Sequence, residues 1–316
     1  MDRLLYFVAL AFVKGLQALP LRGVARLGRA AGGLAYWVDA RHRRVVMENL
    51  TVCFGHERSA REIRDLAREN FRRIGENYGS AIKTASMSWE QLRPHLTFRW
   101  AAEALPAAAA DDGALGRVVA VGHFGNFELY ARAHHFIKGF TPAATYRGLR
   151  QPSLNRLLQS LRQRSGCLFF ERRTESDALK KAMNEQRLLL GFLADQHAGP
   201  GGLWLPFFGR ECSTSAAPAL FALRYHAPLC TAICYRTGLA RWEIEFGPDI
   251  PMRLDGRSRS AAEITLEINR AFEAAVRRDP ANWFWVHKRW KPKPRRVSAA
   301  GSTAPRPTTD VRADGS

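Results

Sequence analysis

The chain has 316 residues, 46% of them hydrophobic, so it can bury one sizeable core and is expected to form one main domain. Its 48 Lys and Arg against 29 Asp and Glu give a formal net charge of +19, which indicates an anionic partner such as nucleic acid or a membrane surface. The sequence contains no aromatic-rich RNA-binding signature, zinc-finger spacing, basic region followed by heptads or internal repeat. These absences argue against nucleic acid.

An apolar run at the amino terminus, Leu4 to Leu19, predicts a helix that associates with a membrane. The run contains Lys14 and stops at Pro20, so it is short for a spanning helix and can instead lie in the interface. The alternative is that it belongs to ordinary buried helices.

A second apolar stretch, Ala30 to Val38, precedes the basic cluster Arg41 to Arg44, whose charge favours the cytoplasmic surface of a membrane. We therefore expect residues 1–40 to be a membrane-anchoring helical segment and residues 41–296 to be a catalytic domain on the cytoplasmic face. Residues 297–316 are rich in Ser, Thr, Ala, Pro and Gly and are predicted to be a disordered tail.

The central part of the chain alternates between apolar runs typical of strands and patterns typical of helices. The predicted strands are Val118–Val121, Ala143–Tyr146, Cys167–Phe170, Leu188–Leu193, Leu229–Tyr235 and Trp242–Phe246. The predicted helices are Ala60–Thr84, Ser153–Arg164, Ser176–Glu185, Ser215–Tyr225 and Ala261–Arg277. This alternation predicts an α/β fold, a three-layer α/β/α domain with a largely parallel central sheet.

A histidine directly follows the first of these strands. Gly122 and Gly125 bracket a turn, so His123 is expected in a strand-to-helix loop. Asn126 is the predicted N-cap of the next helix, which puts Glu128 in its first turn, within reach of the imidazole. Such a pair predicts a general base, with the carboxylate setting the imidazole tautomer. The alternative is a loop histidine that only satisfies its own hydrogen bonds.

Two more polar groups follow predicted strands. Because ligands bind beyond the carboxyl ends of the strands in open α/β sheets, His123, Arg147 and Asp195 are predicted to meet in one cleft. Arg147 is a candidate cation for a substrate phosphate, and a surface ion pair is the alternative. Asp195 is a candidate for orienting Arg147 or binding acceptor hydroxyls, and a capping turn is the alternative. No spacing typical of a metal site occurs, and no metal or cofactor is expected.

Five motifs occur in a specific order along the chain. They are His123 to Glu128, Tyr146-Arg147, Asp195-Gln196, Leu205 to Gly209 followed by Ser213 to Ser215, and Asn282 to Lys291. In this order they resemble the late acyltransferases of lipid A biosynthesis, the lauroyl and myristoyl transferases of the lysophospholipid acyltransferase superfamily. The stretch from Arg43-Arg44 to Asn49-Leu50 is similar to that family's early signature, so the resemblance covers roughly residues 1 to 292.

The resemblance implies a membrane-associated O-acyltransferase of the cell inner membrane. It would move a fatty acyl chain from an acyl thioester, of acyl carrier protein or coenzyme A, to a hydroxyl of an anionic, lipid A-type glycolipid. It implies a catalytic pair and a substrate-binding set, with main-chain donors at the turn for the oxyanion. The pair is His123 and Glu128, and the set is Arg147, Asp195, Gln196, Asn126 and Gly125.

Two alternatives to this function are open. One is an acyltransferase of the same fold that acts on another lipid, such as a phosphatidylinositol mannoside or a lysophospholipid. The other is a basic membrane-surface or nucleic-acid-binding protein without catalysis.

Three further features bear on the substrate. His197 stands where many relatives carry an acidic residue, and it is predicted to be an exposed loop histidine, with a second titratable group near the site as the alternative. The apolar segment Leu203 to Gly209 suits a wall for an acyl chain, although core packing explains it nearly as well. Tryptophans and cations interleave near the carboxyl end and predict a membrane-interface belt, with base stacking as the alternative. They are Trp283, Trp285, Trp290, Lys288, Arg289 and Lys291.

Overall fold

A mostly parallel sheet lies at the centre of the computed structural model, which describes residues 2–101 and 116–293. The strands are β1 (Leu96–Trp100), β2 (Arg117–Val121), β3 (Thr141–Tyr146), β4 (Leu168–Glu171), β5 (Leu188–Leu193), β6 (Leu203–Phe207), β7 (Arg210–Thr214), β8 (Leu229–Gly238), β9 (Arg241–Phe246), β10 (Arg253–Leu254) and β11 (Arg257–Ser258). Seven of them form the sheet in the order β1-β9-β8-β2-β5-β3-β4, within which β8 and β9 pair antiparallel and the other neighbours pair parallel. Among the described residues β6 pairs with β7, and β10 with β11, as separate antiparallel ribbons. The predicted α/β class with a largely parallel sheet is confirmed.

Helices precede and alternate with the strands. They are α1 (Asp2–Ala18), α2 (Leu21–Val38), α3 (Ala40–Phe54), α4 (Ala60–Thr84), α5 (Trp89–Leu92), α6 (Pro152–Gln163), α7 (Ser176–Glu185), α8 (Ala217–Tyr225) and α9 (Ala261–Arg278). Short 3₁₀ helices cover Arg93–His95, Phe127–His135 and Pro280–Asn282. The tail predicted at residues 297–316 lies outside the described residues.

The sheet separates two hydrophobic cores. Val118 and Ala120 of β2 pack into a core with residues of α7, α8 and α9, whereas Val119 and Val121 pack into a second core with the 3₁₀ helix Phe127–His135. Because side chains alternate between the two faces of a strand, a strand that is apolar at every position needs a cover on both faces. This places helical layers on either side of β2 and explains why all five of its residues are buried.

Two apolar segments pack differently from the expectation. Leu203 to Gly209, predicted to be a wall for an acyl chain, forms β6 and the turn to β7, and its Phe207 is buried beside the ring of Trp283. Phe207, with Phe208 packed against the same core, follows the alternative of core packing, while Leu203, Trp204 and Leu205 are half-buried. The predicted membrane-interface belt is also wrong, because Trp283, Trp285 and Arg289 are all buried in the protein interior. Their apolar surface is covered by the chain itself and not by lipid.

The amino-terminal helices form part of the folded body. Val24 and Ala25 of α2 are fully buried, and α2 lies directly against α4 at its glycines Gly28 and Gly32. An added Cβ at Gly32 would lie 2.1 Å from the carbonyl oxygen of Phe71, so the two backbones touch there. Among the helices of residues 2–101 and 116–293, none is both long and apolar enough to cross a bilayer.

Replacing Gly32 by Ala tests this close helix packing. The added methyl group cannot fit against the α4 backbone, so Gly32→Ala should lower the free energy of unfolding by about 1 to 3 kcal/mol, as overpacking does. Gly33→Ala is the matched control, because its Cβ would meet only the Arg72 side chain at 3.6 Å. The control should be neutral or more stable by up to about 1 kcal/mol from helix propensity. Equal denaturation midpoints for both variants would contradict this packing.

Candidate active site

His123 lies two residues beyond β2, in a turn that a glycine makes possible. Gly125 has a φ of +49°, in the left-handed region, and a Cβ there would lie 2.6 Å from the carbonyl oxygen of Cys234. The main-chain N–H of Gly125 donates to the carbonyl oxygen of Asn282 at 3.1 Å. The family resemblance implied that main-chain N–H groups at this turn would bind the substrate oxyanion. The Gly125 N–H is instead used within the protein, and Gly125 serves to shape the turn.

The carboxylate of Asp195 holds the His123 imidazole. Asp195 lies two residues beyond β5, the parallel neighbour of β2, and its side chain is completely buried. One carboxylate oxygen lies 2.8 Å from Nδ1 of His123. The other accepts the His123 main-chain N–H at 2.9 Å and the Nε1–H of Trp283 at 2.7 Å. Nδ1 therefore carries the donated proton, and Nε2 is left as the acceptor that can act on a ligand.

The ionisation of Asp195 follows from these contacts. Burial alone would raise the pKa of this carboxyl group, but the charge and hydrogen bonds of His123, together with the Trp283 donor, lower the pKa to about 2. The carboxylate is thus charged at neutral pH. The negative charge of this carboxylate beside Nδ1 stabilises the imidazolium that forms when Nε2 takes a proton.

Glu128 occupies a different position from the one predicted. It lies in the first turn of the helix after His123, as expected, but its carboxylate accepts two hydrogen bonds from Arg162 of α6, at 3.1 Å and 2.5 Å. The Arg162 guanidinium also lies over the ring of Tyr146, 5.5 Å from its centroid. The expected contact between Glu128 and the imidazole is corrected, because Asp195 takes Nδ1 and a bidentate arginine pair holds Glu128.

Arg147 directly follows β3 and lies exposed at the edge of a cavity that His123 also lines. Arg172 lines the same cavity, and neither guanidinium has an ion-pair partner within the described residues. Partial burial, and then the charges of Arg147 and Arg173, lower the pKa of Arg172. Two cations held close together, neither in an ion pair with a carboxylate of the described residues, favour an anionic ligand. Asp195 does not orient Arg147, because the Asp195 carboxylate is fully buried and its hydrogen bonds go to His123 and Trp283.

Three more of the residues singled out from the sequence line this cavity. Gln196 is one of them, and its carbonyl oxygen accepts a hydrogen bond from buried Arg289 at 3.4 Å. Asn126 stands at the N-cap position but caps nothing, and its Nδ2 donates instead to Thr84 Oγ1 at 3.4 Å. His197 is half-buried, so the prediction of an exposed loop histidine is wrong.

The cavity has a volume of about 810 Å³, within the range of roughly 300 to 1,000 Å³ typical of small-molecule sites. We call His123, Glu128 and the cations in its lining the polar end. Apolar side chains of α1, α4 and α6 also line the cavity, and we call this group the apolar arm. These side chains are Val13, Ile74, Ala81, Ile82, Leu154, Leu157, Leu158 and Leu161.

Three residues of the site were not singled out from the sequence: Arg162, Arg172 and His287. Arg172 is one of two adjacent arginines after β4, and nothing in the local pattern marks it. Arg162 lies in a helix whose pattern is only amphipathic, so no local signal marks it. His287 lies within the last of the five motifs, but the aromatic and basic residues around it dominated the interpretation. Its ring lines the cavity, and burial, more than the charges of Lys291 and Arg289, lowers its pKa to about 4 against the attraction of Asp195.

A buried Asp–His pair at the head of a cavity with an apolar arm suits a transferase that acts on a lipid. The chain belongs to the family of bacterial lipid A biosynthesis acyltransferases, which it matches over residues 1–292. It is 24% identical over 289 residues to a lipid A biosynthesis palmitoleoyltransferase of Escherichia coli K12, covering 87% of each chain. It is 26% identical over 285 residues to a lipid A biosynthesis lauroyltransferase of the same organism, covering 88% of this chain and 89% of the relative. The protein is therefore an acyltransferase.

The low pKa of His287 predicts a loss of stability in acid. Between the ordinary pKa of 6.5 and about 4, the unfolded chain binds a proton that the folded imidazole does not, so stability falls as the pH falls through this window. At pH 5 the loss attributable to this group should be at most about 2 kcal/mol. His287→Gln should reduce the difference in unfolding free energy between pH 7 and pH 5. An unchanged difference would contradict a neutral, buried imidazole.

Proposed function

We propose that the protein transfers a fatty acyl chain from an acyl thioester, of acyl carrier protein or coenzyme A, to a hydroxyl of a lipid A-type glycolipid at a membrane surface. The observation that carries the proposal is the His123–Asp195 pair at the polar end of a cavity whose other arm is apolar. Membership of the lipid A acyltransferase family supports the acceptor class. The charge on the cavity cations suits the phosphate of such an acceptor or of the carrier.

The chemistry follows from the free nitrogen of His123. Nε2 removes the proton of the acceptor hydroxyl as the oxygen attacks the thioester carbonyl carbon, and the carbonyl electron pair moves onto its oxygen. The tetrahedral intermediate then collapses, the C–S bond breaks, and the thiolate leaves with the proton from the imidazolium. The products are an ester and a free thiol, and Asp195 stays ionised throughout. Direct transfer fits a site in which no Ser or Cys of the described residues hydrogen-bonds to the His123 imidazole.

The apolar arm holds the acyl chain in this proposal. Its walls are leucines of α6 and small or branched residues of α4, with Val13 contributed by α1. Burial of a chain against such walls favours binding by about 0.8 kcal/mol for each CH₂ group removed from water. The thioester carbonyl is then left at the polar end, beside His123.

Arg162 and Glu128 act as a unit at the same end. Both line the cavity, and the paired carboxylate holds the guanidinium in one orientation, with its face on Tyr146. We assign to Glu128 the role of fixing this cation, which faces the negative charge of substrate, instead of direct support of the imidazole. Arg147 and Arg172 contribute the remaining positive charge, and Gln196 offers its amide group to the acceptor, whereas the buried Asn126 amide donates to Thr84 within the protein.

The surface of the first two helices supports membrane attachment in this proposal. Leu4, Phe7, Val8 and Phe12 of α1 are each more than half exposed and recur at a spacing that puts them on one side of the helix. On α2, Leu27, Leu34, Trp37 and Val38 are exposed to the same extent. Exposed apolar side chains on two helices of a basic protein fit the interface of an anionic membrane. We propose that this surface rests on the cytoplasmic face of the inner membrane.

Replacing two of these side chains tests the membrane contact without removing the helices, which the fold needs. Phe7→Gln with Phe12→Gln should move the protein from the membrane to the supernatant after a high-salt wash, because each change removes apolar contact with lipid. Leu220→Gln with Leu254→Gln is the matched control, since both leucines are about half exposed elsewhere. Pelleting of the first variant at the wild-type level would exclude α1 as the attachment surface.

The catalytic assignment is tested in an assay that combines an acyl thioester with a lipid A-type acceptor and detects the acylated product by mass spectrometry. His123→Ala should lower kcat by about 10² to 10⁴, the usual effect of losing a general base. Asp195→Asn should cause a loss of the same order, because it removes the charge that sets the tautomer. The double variant should be little worse than His123→Ala, since the two residues act as one unit.

Glu128→Gln distinguishes the two carboxylates in the same assay. Combined with His123→Ala, it should multiply the loss, because Glu128 acts through Arg162 and not through the imidazole. If instead the losses of kcat from Glu128→Gln and His123→Ala fail to multiply, while those from Asp195→Asn and His123→Ala do multiply, Glu128 is the partner of the base.

Phosphatidylinositol mannoside and lysophospholipid serve as competing acceptors, and faster transfer to either would overturn the lipid A assignment.

A further inference from the structure

His287 presents a second imidazole to the cavity, and its hydrogen bond defines its protonation. Nε2 of His287 accepts the main-chain N–H of His197 at 2.9 Å. A ring nitrogen that accepts a hydrogen bond carries no proton, so the neutral ring must carry its proton on Nδ1. Nδ1 has no hydrogen-bond partner in the part of the chain that the structure describes, and it is not sealed from solvent.

The two imidazoles of the site therefore offer opposite groups to a ligand. His123 uses Nδ1 for Asp195 and presents an unprotonated Nε2, whereas His287 uses Nε2 for the protein backbone and presents an Nδ1–H. Both rings line the same cavity. One is built to take a proton and the other to donate a hydrogen bond.

The surroundings keep His287 neutral. Burial of the ring is the main cause, and together with the cations of Lys291 and Arg289 it outweighs the negative charge of Asp195, which favours protonation. A neutral N–H can donate to a developing oxyanion without giving up its proton, and such fixed donors are effective when they need no reorganisation. The occupied N–H of Gly125 leaves this role open at the turn.

We propose that His287 is a catalytic residue whose neutral Nδ1–H donates a hydrogen bond to the thioester carbonyl oxygen as that oxygen becomes negatively charged. This inference rests on the proposed acyl transfer. When the acceptor oxygen bonds to the carbonyl carbon, the electron pair moves onto the carbonyl oxygen, and the hydrogen bond from His287 strengthens. The pair returns as the C–S bond breaks, and the proton of His287 stays on Nδ1 throughout.

A pair of isosteric variants separates this donor from a structural role. Asn places its Nδ2–H₂ where His has Nδ1, so His287→Asn keeps a donor to the cavity and loses the acceptor for the His197 N–H. Gln places its Oε1 where His has Nε2, so His287→Gln keeps that acceptor and loses the donor.

Loss of one such donor costs about 10² to 10³ in kcat, so His287→Gln should fall by this factor with little change in KM. His287→Asn should stay within about tenfold of wild type, although it is the variant expected to melt at the lower temperature. Near-wild-type kcat for His287→Gln, or equal losses in both variants, would overturn the proposal and leave His287 as a support for the 195–197 loop.

Failure of this inference is distinct from failure of the proposed function. An inactive wild type with every acyl thioester would overturn the proposed function and this inference with it, whereas an active His287→Gln variant would overturn the inference alone. The tautomer is measured separately by ¹⁵N NMR of histidine-labelled full-length protein in detergent. We expect the Nδ1–H form for His287, and an Nε2–H form would overturn the inference whatever the activity.

Discussion

The buried carboxylate of Asp195 is the group on which the arrangement of the site depends. A charge sealed from water is costly unless donors surround it, and here three donors do so: the imidazole and main chain of His123 and the indole of Trp283. These donors come from the turn after β2 and from the segment near the carboxyl end. One carboxylate thereby ties together three distant parts of the chain and fixes which nitrogen of the imidazole faces the substrate.

The sheet supplies the geometry for this contact. Val121 and Leu193 are register partners at the ends of the parallel strands β2 and β5, and the two functional residues follow two positions later on each strand. His123 and Asp195 therefore leave the sheet at the same level, side by side. The fixed turn at Gly125 then directs the imidazole to the cavity. The parallel pairing of β2 with β5, more than any local motif, brings the Asp195 carboxylate and the His123 imidazole together.

Local patterns in the sequence predicted much of this framework. Each run assigned to a strand is one, and β2 and β5 were recognisable because buried parallel strands are apolar throughout. The meeting of His123 with Asp195 follows from their places after these adjacent strands. The partner of Glu128 was not predictable, since Arg162 lies 34 positions away on α6 and the pairing depends on how that helix packs. The tautomer of His287 likewise depends on a backbone donor 90 positions away.

The tryptophans near the carboxyl end show the limit of reading composition alone. Interleaved aromatic and basic residues are typical of a membrane interface, but Trp283 is needed as a donor to Asp195 and Trp285 packs in the same core. The exposed apolar surface lies at the other end of the sequence, on α1 and α2. Helix α1 has Phe12 exposed on its outer side and Val13 in the cavity wall, so a single helix connects the proposed membrane surface with the proposed acyl site.

A structure of the protein with a non-reactive thioether analogue of the acyl donor and an intact glycolipid acceptor would test the central claim most directly. The account predicts the acceptor hydroxyl within hydrogen-bond distance of Nε2 of His123, roughly 2.6 to 3.2 Å, with Asp195 still on Nδ1 and the acyl chain in the apolar arm. A hydroxyl bound instead by Glu128, with Nε2 of His123 turned away from both substrates, would contradict it.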